Sequence, residues 1–229
     1  FDPLWRAAVQ RGTIPLRAPG SSARAGARVD GMLADVDDGE LRSFVGALQH
    51  NRYLTSLDMS RNMIGQKSGE ESGIPILAEY LEKHACHLEF LDLSWNFIKG
   101  DDAVRLGSAI GWNETLTHLD LTGNSFMCRG TQALAQGLSE NSSLTRLDLG
   151  QNNVDGRGLF TLLALTMHGN EKLETLDLSS NSTLGDHGPA VLMSTMVKLI
   201  QRSFNVVIQG CNFALRDPQC WYDVERPIE

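Results

Sequence analysis

Leu116-Thr117-His118-Leu119-Asp120-Leu121-Thr122-Gly123-Asn124 is the stretch on which the fold turns, because it recurs along the chain. The frame Leu-x-x-Leu-Asp-(Leu/Met)-x-x-Asn is found without gaps at Leu54–Asn62, Leu88–Asn96, Leu144–Asn152 and Leu173–Asn181 as well. The Asn-to-Asn spacings are 34, 28, 28 and 29 residues. Five copies at a near-constant period identify a stacked-repeat architecture, in which each unit buries its apolar face against its neighbours. The Leu-Asp-Leu alternation has the period of a short strand, with leucines on one side and the residues between them on the other. The Asn turns the chain off the strand, and its amide can satisfy turn groups that would otherwise be buried unpaired. Later in each unit an amphipathic stretch such as Ala103–Ile110 or Ala133–Leu138 runs at helical spacing.

A second Asn series, Asn51, Asn113, Asn141 and Asn170, precedes the first Leu of the frame by three residues, with Ala85 in its place in the 34-residue unit. These positions fall where the helix exits. The residue type suggests a left-handed backbone there, which Asn tolerates.

One strand and one full helix in 28–29 residues resembles the ribonuclease-inhibitor-like class of leucine-rich repeat proteins. Extracellular plant repeats, of roughly 24 residues, continue into Gly-x-Ile-Pro, which follows none of the five copies here. The resemblance spans residues 38–203. It implies an intracellular α/β leucine-rich repeat solenoid, a horseshoe with parallel strands on the concave face and helices on the convex face. It is a resemblance to a repeat class, and the inhibitory activity of ribonuclease inhibitor, a longer and Cys-rich protein, is not carried over.

Around the five copies the chain divides into a basic arm (1–30), a repeat domain of about five full repeats with degenerate ends (31–213) and an irregular tail (214–229) containing Pro218, Trp221 and Pro227. Residues 38–50 match the helical half of a repeat with no strand before it. Residues 65–72 supply the extra length of the 34-residue unit and must loop out, since a stacked core cannot widen. Phe204–Phe213 reads as a degenerate sixth repeat, with Asn212 as its turn Asn and Gln209 where a core Leu belongs.

Composition narrows the function. Apolar residues make up 41% and charged residues 21%, and 20 Lys and Arg against 28 Asp and Glu give a net charge of −8. Arg6, Arg11, Arg17, Arg24 and Arg28 face only Asp2 and Asp30, so the arm carries 5 − 2 = +3 and the rest −11. An acidic body argues against nucleic acid as the partner. No apolar run is long enough to span a bilayer. Cys86, Cys128, Cys211 and Cys220 form no C-x-x-C pair, which suits a reducing compartment. The cytoplasm is the first expectation, and an organelle (mitochondrial) assembly, suggested by the Arg-rich and Lys-free start, is the alternative. The sequons at Asn113, Asn141 and Asn181 coincide with repeat positions and are read as by-products of the repeat.

No nucleotide-binding, nucleophile-elbow, zincin or calcium-loop pattern occurs, so no catalytic residue, cofactor or small-molecule substrate is assigned. His84-Ala85-Cys86-His87 could offer two imidazoles at i, i+3, but no full ligand set accompanies them and no metal is assigned. Recognition is expected on the strand face. Asp58, Asp92, Asp120, Asp148 and Asp177 would form a row with ~4.8 Å between strands, either bonding locally as the habit of this strand type or meeting a basic partner. The variable position before the second Leu carries Phe90, His118 and Arg146, and Trp95 flanks the turn. Phe90 is expected to be exposed, and Trp95 either to bind or to pack beneath the 65–72 insertion. Trp5 marks the apolar content of the arm. Together these suggest a non-catalytic protein–protein interaction scaffold, a subunit or module of a larger assembly that docks other proteins through its concave face, arm and tail. The alternative is a GTPase-activating or regulatory protein, because Ran GTPase-activating proteins share this repeat class.

Overall fold

The computed structural model describes residues 27–29, 35–49, 51, 53–83, 86–184, 192 and 204–211. The described strands form one seven-stranded sheet in which sequence order is spatial order: β1 (Ala27–Val29), β2 (Leu54–Asp58), β3 (Phe90–Asp92), β4 (His118–Asp120), β5 (Arg146–Asp148), β6 (Thr175–Asp177) and β7 (Asn205–Val207). All neighbours are parallel. Between them run helices α1 (Asp38–Leu48), α2 (Ile74–Leu81), α3 (Gly100–Trp112), α4 (Met127–Glu140) and α5 (Gly156–Gly169). This is the expected α/β solenoid.

Register follows the repeat frame. Leu57, Leu91, Leu119, Leu147 and Leu176 lie side by side across β2–β6 and are buried. The next apolar position, Met59, Leu93, Leu121, Leu149 and Leu178, is buried too. Each helix contributes its inward stripe, for example Ala103, Leu106, Ala109 and Ile110 from α3, to the one continuous core.

Both Asn series tie one repeat to the next. Asn124 Nδ2 donates to the carbonyls of Leu93 (3.0 Å) and Leu121 (2.9 Å), while its Oδ1 accepts from Ile98 N (3.0 Å). Asn96, Asn152 and Asn181 make the same kind of set. In the exit series Asn113 Nδ2 donates to Leu81 O (2.7 Å) and its Oδ1 accepts from Thr115 N and Leu116 N. The left-handed expectation for this series is corrected, since φ is −76° at Asn113, −79° at Asn141 and −107° at Asn170. Asn is used there because one short amide can accept from the turn behind it and donate to the repeat before it. A left-handed residue instead precedes each turn Asn: Arg61, Trp95, Gly123, Gln151 and Ser180 all have φ between 53° and 71°.

Two end readings change. Residues 38–50 do have a strand before them: Val29 pairs with Leu57, so the last residues of the arm stretch belong to the sheet. At the other end Val206 pairs with Leu176 and Val207 with Asp177, which places Ile208, not Gln209, at the core position. Cys211 then occupies the turn-Asn place, and its thiol donates to Leu178 O (3.2 Å) as the Asn amides do one repeat earlier. Asn212 and the 214–229 tail lie outside the described residues.

The 65–72 insertion is fastened from below. Asp38, buried in the first turn of α1, accepts from Gly65 N (2.8 Å), Lys67 N (3.0 Å) and Gly73 N (2.8 Å). The neighbouring Asp37 and Glu40 close a reciprocal capping box at the same helix start.

Candidate interaction face on the strands

The register that aligns the leucines also aligns the aspartates, in the order Asp58, Asp92, Asp120, Asp148 and Asp177. All five are half-buried. Four accept from the backbone N–H two residues on, at 2.8–2.9 Å: Ser60, Ser94, Thr122 and Ser179 respectively for Asp58, Asp92, Asp120 and Asp177. These local turns give the row a structural role. Asp148 precedes Gly150 and is engaged differently, by Arg146 Nε at 3.1 and 2.9 Å.

That ion pair divides the row. Arg146 is held in its charged form first by its bond to Asp148, with Asp177 and Asp120 adding to the effect. Among the described residues no cation is paired with Asp58, Asp92 or Asp120. Burial raises the Asp92 and Asp120 carboxyls above the ordinary range; the Ser94 and Thr122 hydrogen bonds oppose that shift and neighbouring aspartates reinforce it.

Beside the row, Ser56, Phe90, His118, Arg146, Thr175 and Asn205 form a second column. Phe90 is half-buried rather than exposed, because its ring lies tilted against His118 at 6.3 Å between centroids. His118 Nδ1 is 3.0 Å from the Thr117 hydroxyl. Trp95 is 45% exposed and reaches the next repeat: a Cβ on Gly123 would lie 2.7 Å from Trp95 Cδ2. Gly123 therefore serves both its own left-handed turn and the seat of this indole.

Sequence reasoning missed two further exposed apolar side chains at these turns. Phe97 (48% exposed) and Met63 (37% exposed) each follow a turn Asn, in consecutive repeats. Phe97 N donates to Ile64 O and Met63 N to Val36 O, the same ladder bond one repeat apart. Their signal was present only as apolar residues where the equivalent positions carry Ser125 and Asn153.

Trp5, with the rest of residues 1–26, and His84 lie outside the described residues. Cys86 is buried, and burial raises its thiol pKa. Among the described residues no group of acidic, His and Cys side chains is arranged to hold a metal ion, and no helix is long and apolar enough to cross a membrane. Asn113, Asn141 and Asn181 are buried and bonded across repeats.

With this geometry in view, comparison with known proteins gives a consistent family. The family description "Leucine Rich repeat" matches residues 50–71, 84–107, 113–135, 140–163 and 169–188, one match for each copy of the frame. The chain is a leucine-rich repeat protein. It is 29% identical over 151 residues to "NACHT, LRR and PYD domains-containing protein 12" of Mus musculus, covering 66% of this chain and 14% of that protein. The Homo sapiens protein of the same name is 30% identical over 146 residues, covering 64% and 13% respectively. The chain thus spans about one seventh of the length of these relatives. Among solved structures, "Leiomodin-1 Actin-Binding Site 2 (ABS2)" matches with a TM-score of 0.56 at 17% identity, over 69% of this chain and 86% of that one. At that identity the likeness is one of fold.

Proposed function

We propose that this chain is a non-catalytic protein–protein interaction module of the ribonuclease-inhibitor-like repeat class, acting within a larger intracellular assembly. The observation that carries the reading is the strand face, where an in-register ladder presents a row of carboxylates beside aromatic side chains. Leucine-rich repeats characteristically present such surfaces, and a preformed face binds without ordering its own backbone. The arm before β1, the repeat domain and the tail (214–229) would contribute separate contacts, with the basic arm and Trp5 engaging a partner chain.

The test is affinity purification of the full chain from its native source, with and without the combined Asp92→Asn and Asp120→Asn substitutions, alongside a GTP-hydrolysis assay on the co-purifying GTPases. The reading expects stoichiometric partners that weaken with the double substitution and no stimulation of hydrolysis. Robust stimulation would establish the GTPase-activating alternative instead.

A further inference from the structure

We infer that the rim formed by Trp95, Phe97 and Met63, together with Asp58, Asp92 and Asp120, receives an extended partner segment that carries an apolar side chain within a few residues of one or more arginines or lysines. This deepens the interaction-module reading and rests on it. Large side chains exposed on consecutive repeats, with polar residues around them, are the usual anchors of an interface. The three residues flank two successive turn Asn residues, Asn62 and Asn96, so the ladder holds them one strand apart. Trp95 is further fixed by the next repeat, because its ring rests against the bare Cα of Gly123; its left-handed backbone (φ 56°) is shared with Arg61, Gln151 and Ser180 and belongs to the repeat turn.

Charge selects the occupant. Along the strand the carboxylates stand only a few residues before the rim, at Asp58 and Asp92, with Asp120 on the next strand. Arg146 neutralises Asp148 further along, and the exposed Arg61, three residues after Asp58, is the cation at the rim itself; among the described residues no ion pair engages Asp58, Asp92 or Asp120. An acidic or purely apolar segment would meet that row unfavourably or leave it unpaired, whereas a cation there gains complementarity and faster encounter. The apolar anchor then lands on Trp95 and Phe97. A second copy of this chain offers no match in its described strand face, which is acidic like this one.

The probe is a fluorescein-labelled, Gly/Ser-based peptide bearing one leucine followed by two arginines at alternate positions, titrated with the full chain and read by anisotropy. The inference expects micromolar binding that falls at least tenfold in Trp95→Ser, in Phe97→Ser and in the Asp92→Asn, Asp120→Asn double variant. The same loss is expected when the peptide's leucine is replaced by serine. Asn at 92 and 120 keeps the acceptor for Ser94 N and Thr122 N, so these variants retain the local turns, and circular dichroism verifies each fold. Trp112→Ser, at an exposed tryptophan on α3, should bind as the parent does. Absence of binding by the parent, undiminished binding by the folded rim variants, or an equal loss in Trp112→Ser would overturn the inference. If native partners still co-purify with those rim variants, the interaction module stands and only this surface assignment falls. If the parent chain captures no partner at all, the reading beneath it fails as well.

Discussion

A single amide ties two adjacent repeats together. Asn124 satisfies two carbonyls and one N–H, all buried, in two adjacent repeats, and each such group left unpaired costs roughly 1–3 kcal/mol. Asn124→Leu should therefore lower stability by about 3 kcal/mol in urea titration, despite the added hydrocarbon; an unchanged or higher melting temperature would contradict the assignment. Leu119→Ala, in the middle of the core, should cost about 2–5 kcal/mol. The aspartate row behaves in the opposite sense. Burial raises the folded-state pKa of Asp92 above its unfolded value, so ionising it opposes folding at neutral pH, and that penalty is relieved as pH falls through the folded pKa toward the unfolded one. Asp92→Asn, which keeps the Ser94 contact, should leave the melting temperature at pH 7 equal to or above that of the parent, with any gain shrinking as pH falls through the raised folded-state pKa and lost below about pH 4. A marked loss at pH 7 would show that the charge itself stabilises the turn. The inward residues were legible in the sequence because core and turn constrain them in every repeat. Cys211 was not, since a thiol replaced the marker amide and Asn212 beside it offered a false register one residue away.

Among the elements, the helices explain what the strand frame left unread. α3 and α4 approach so closely that a Cβ on Gly137 would collide with the Gly107 carbonyl. Gly137→Ala should thus destabilise by about 1–3 kcal/mol, although alanine favours an isolated helix by roughly 1 kcal/mol. Gly46 in α1 is the control: nothing lies near its added Cβ, so Gly46→Ala should stabilise by about 0.5–1 kcal/mol. Equal effects of the two substitutions in thermal melts would contradict the packing. Glycine spacing in these helices was visible in the sequence, but amphipathic periodicity alone does not say which helix face meets a neighbour's backbone. Likewise β1 was missed because Ala27-Arg28-Val29 lacks the leucine frame, and only its pairing with β2 reveals it. Phe97 and Met63 escaped notice because they occupy a variable turn position, where no period distinguishes an exposed anchor from a chance apolar residue.

At the scale of the whole molecule, stacking makes one side of the chain a core and leaves the strand face as an ordered array of variable side chains. The fold follows from the repeat frame; the partner is written in the positions that differ between repeats, and these had no internal copy to compare. Burial of all three sequon asparagines in cross-repeat bonds also predicts that the folded chain is not glycosylated at Asn113, Asn141 or Asn181, which intact mass measurement after expression in a glycosylating host would check. The central claim is that partners dock on the strand face and not on the helices. Zero-length carboxyl-to-amine crosslinking of the natively purified assembly, read by mass spectrometry, tests it most directly. The account predicts partner lysines joined to Asp58, Asp92 or Asp120; crosslinks confined to helix-side carboxylates such as Asp101 and Glu140, with none on the aspartate row, would contradict it.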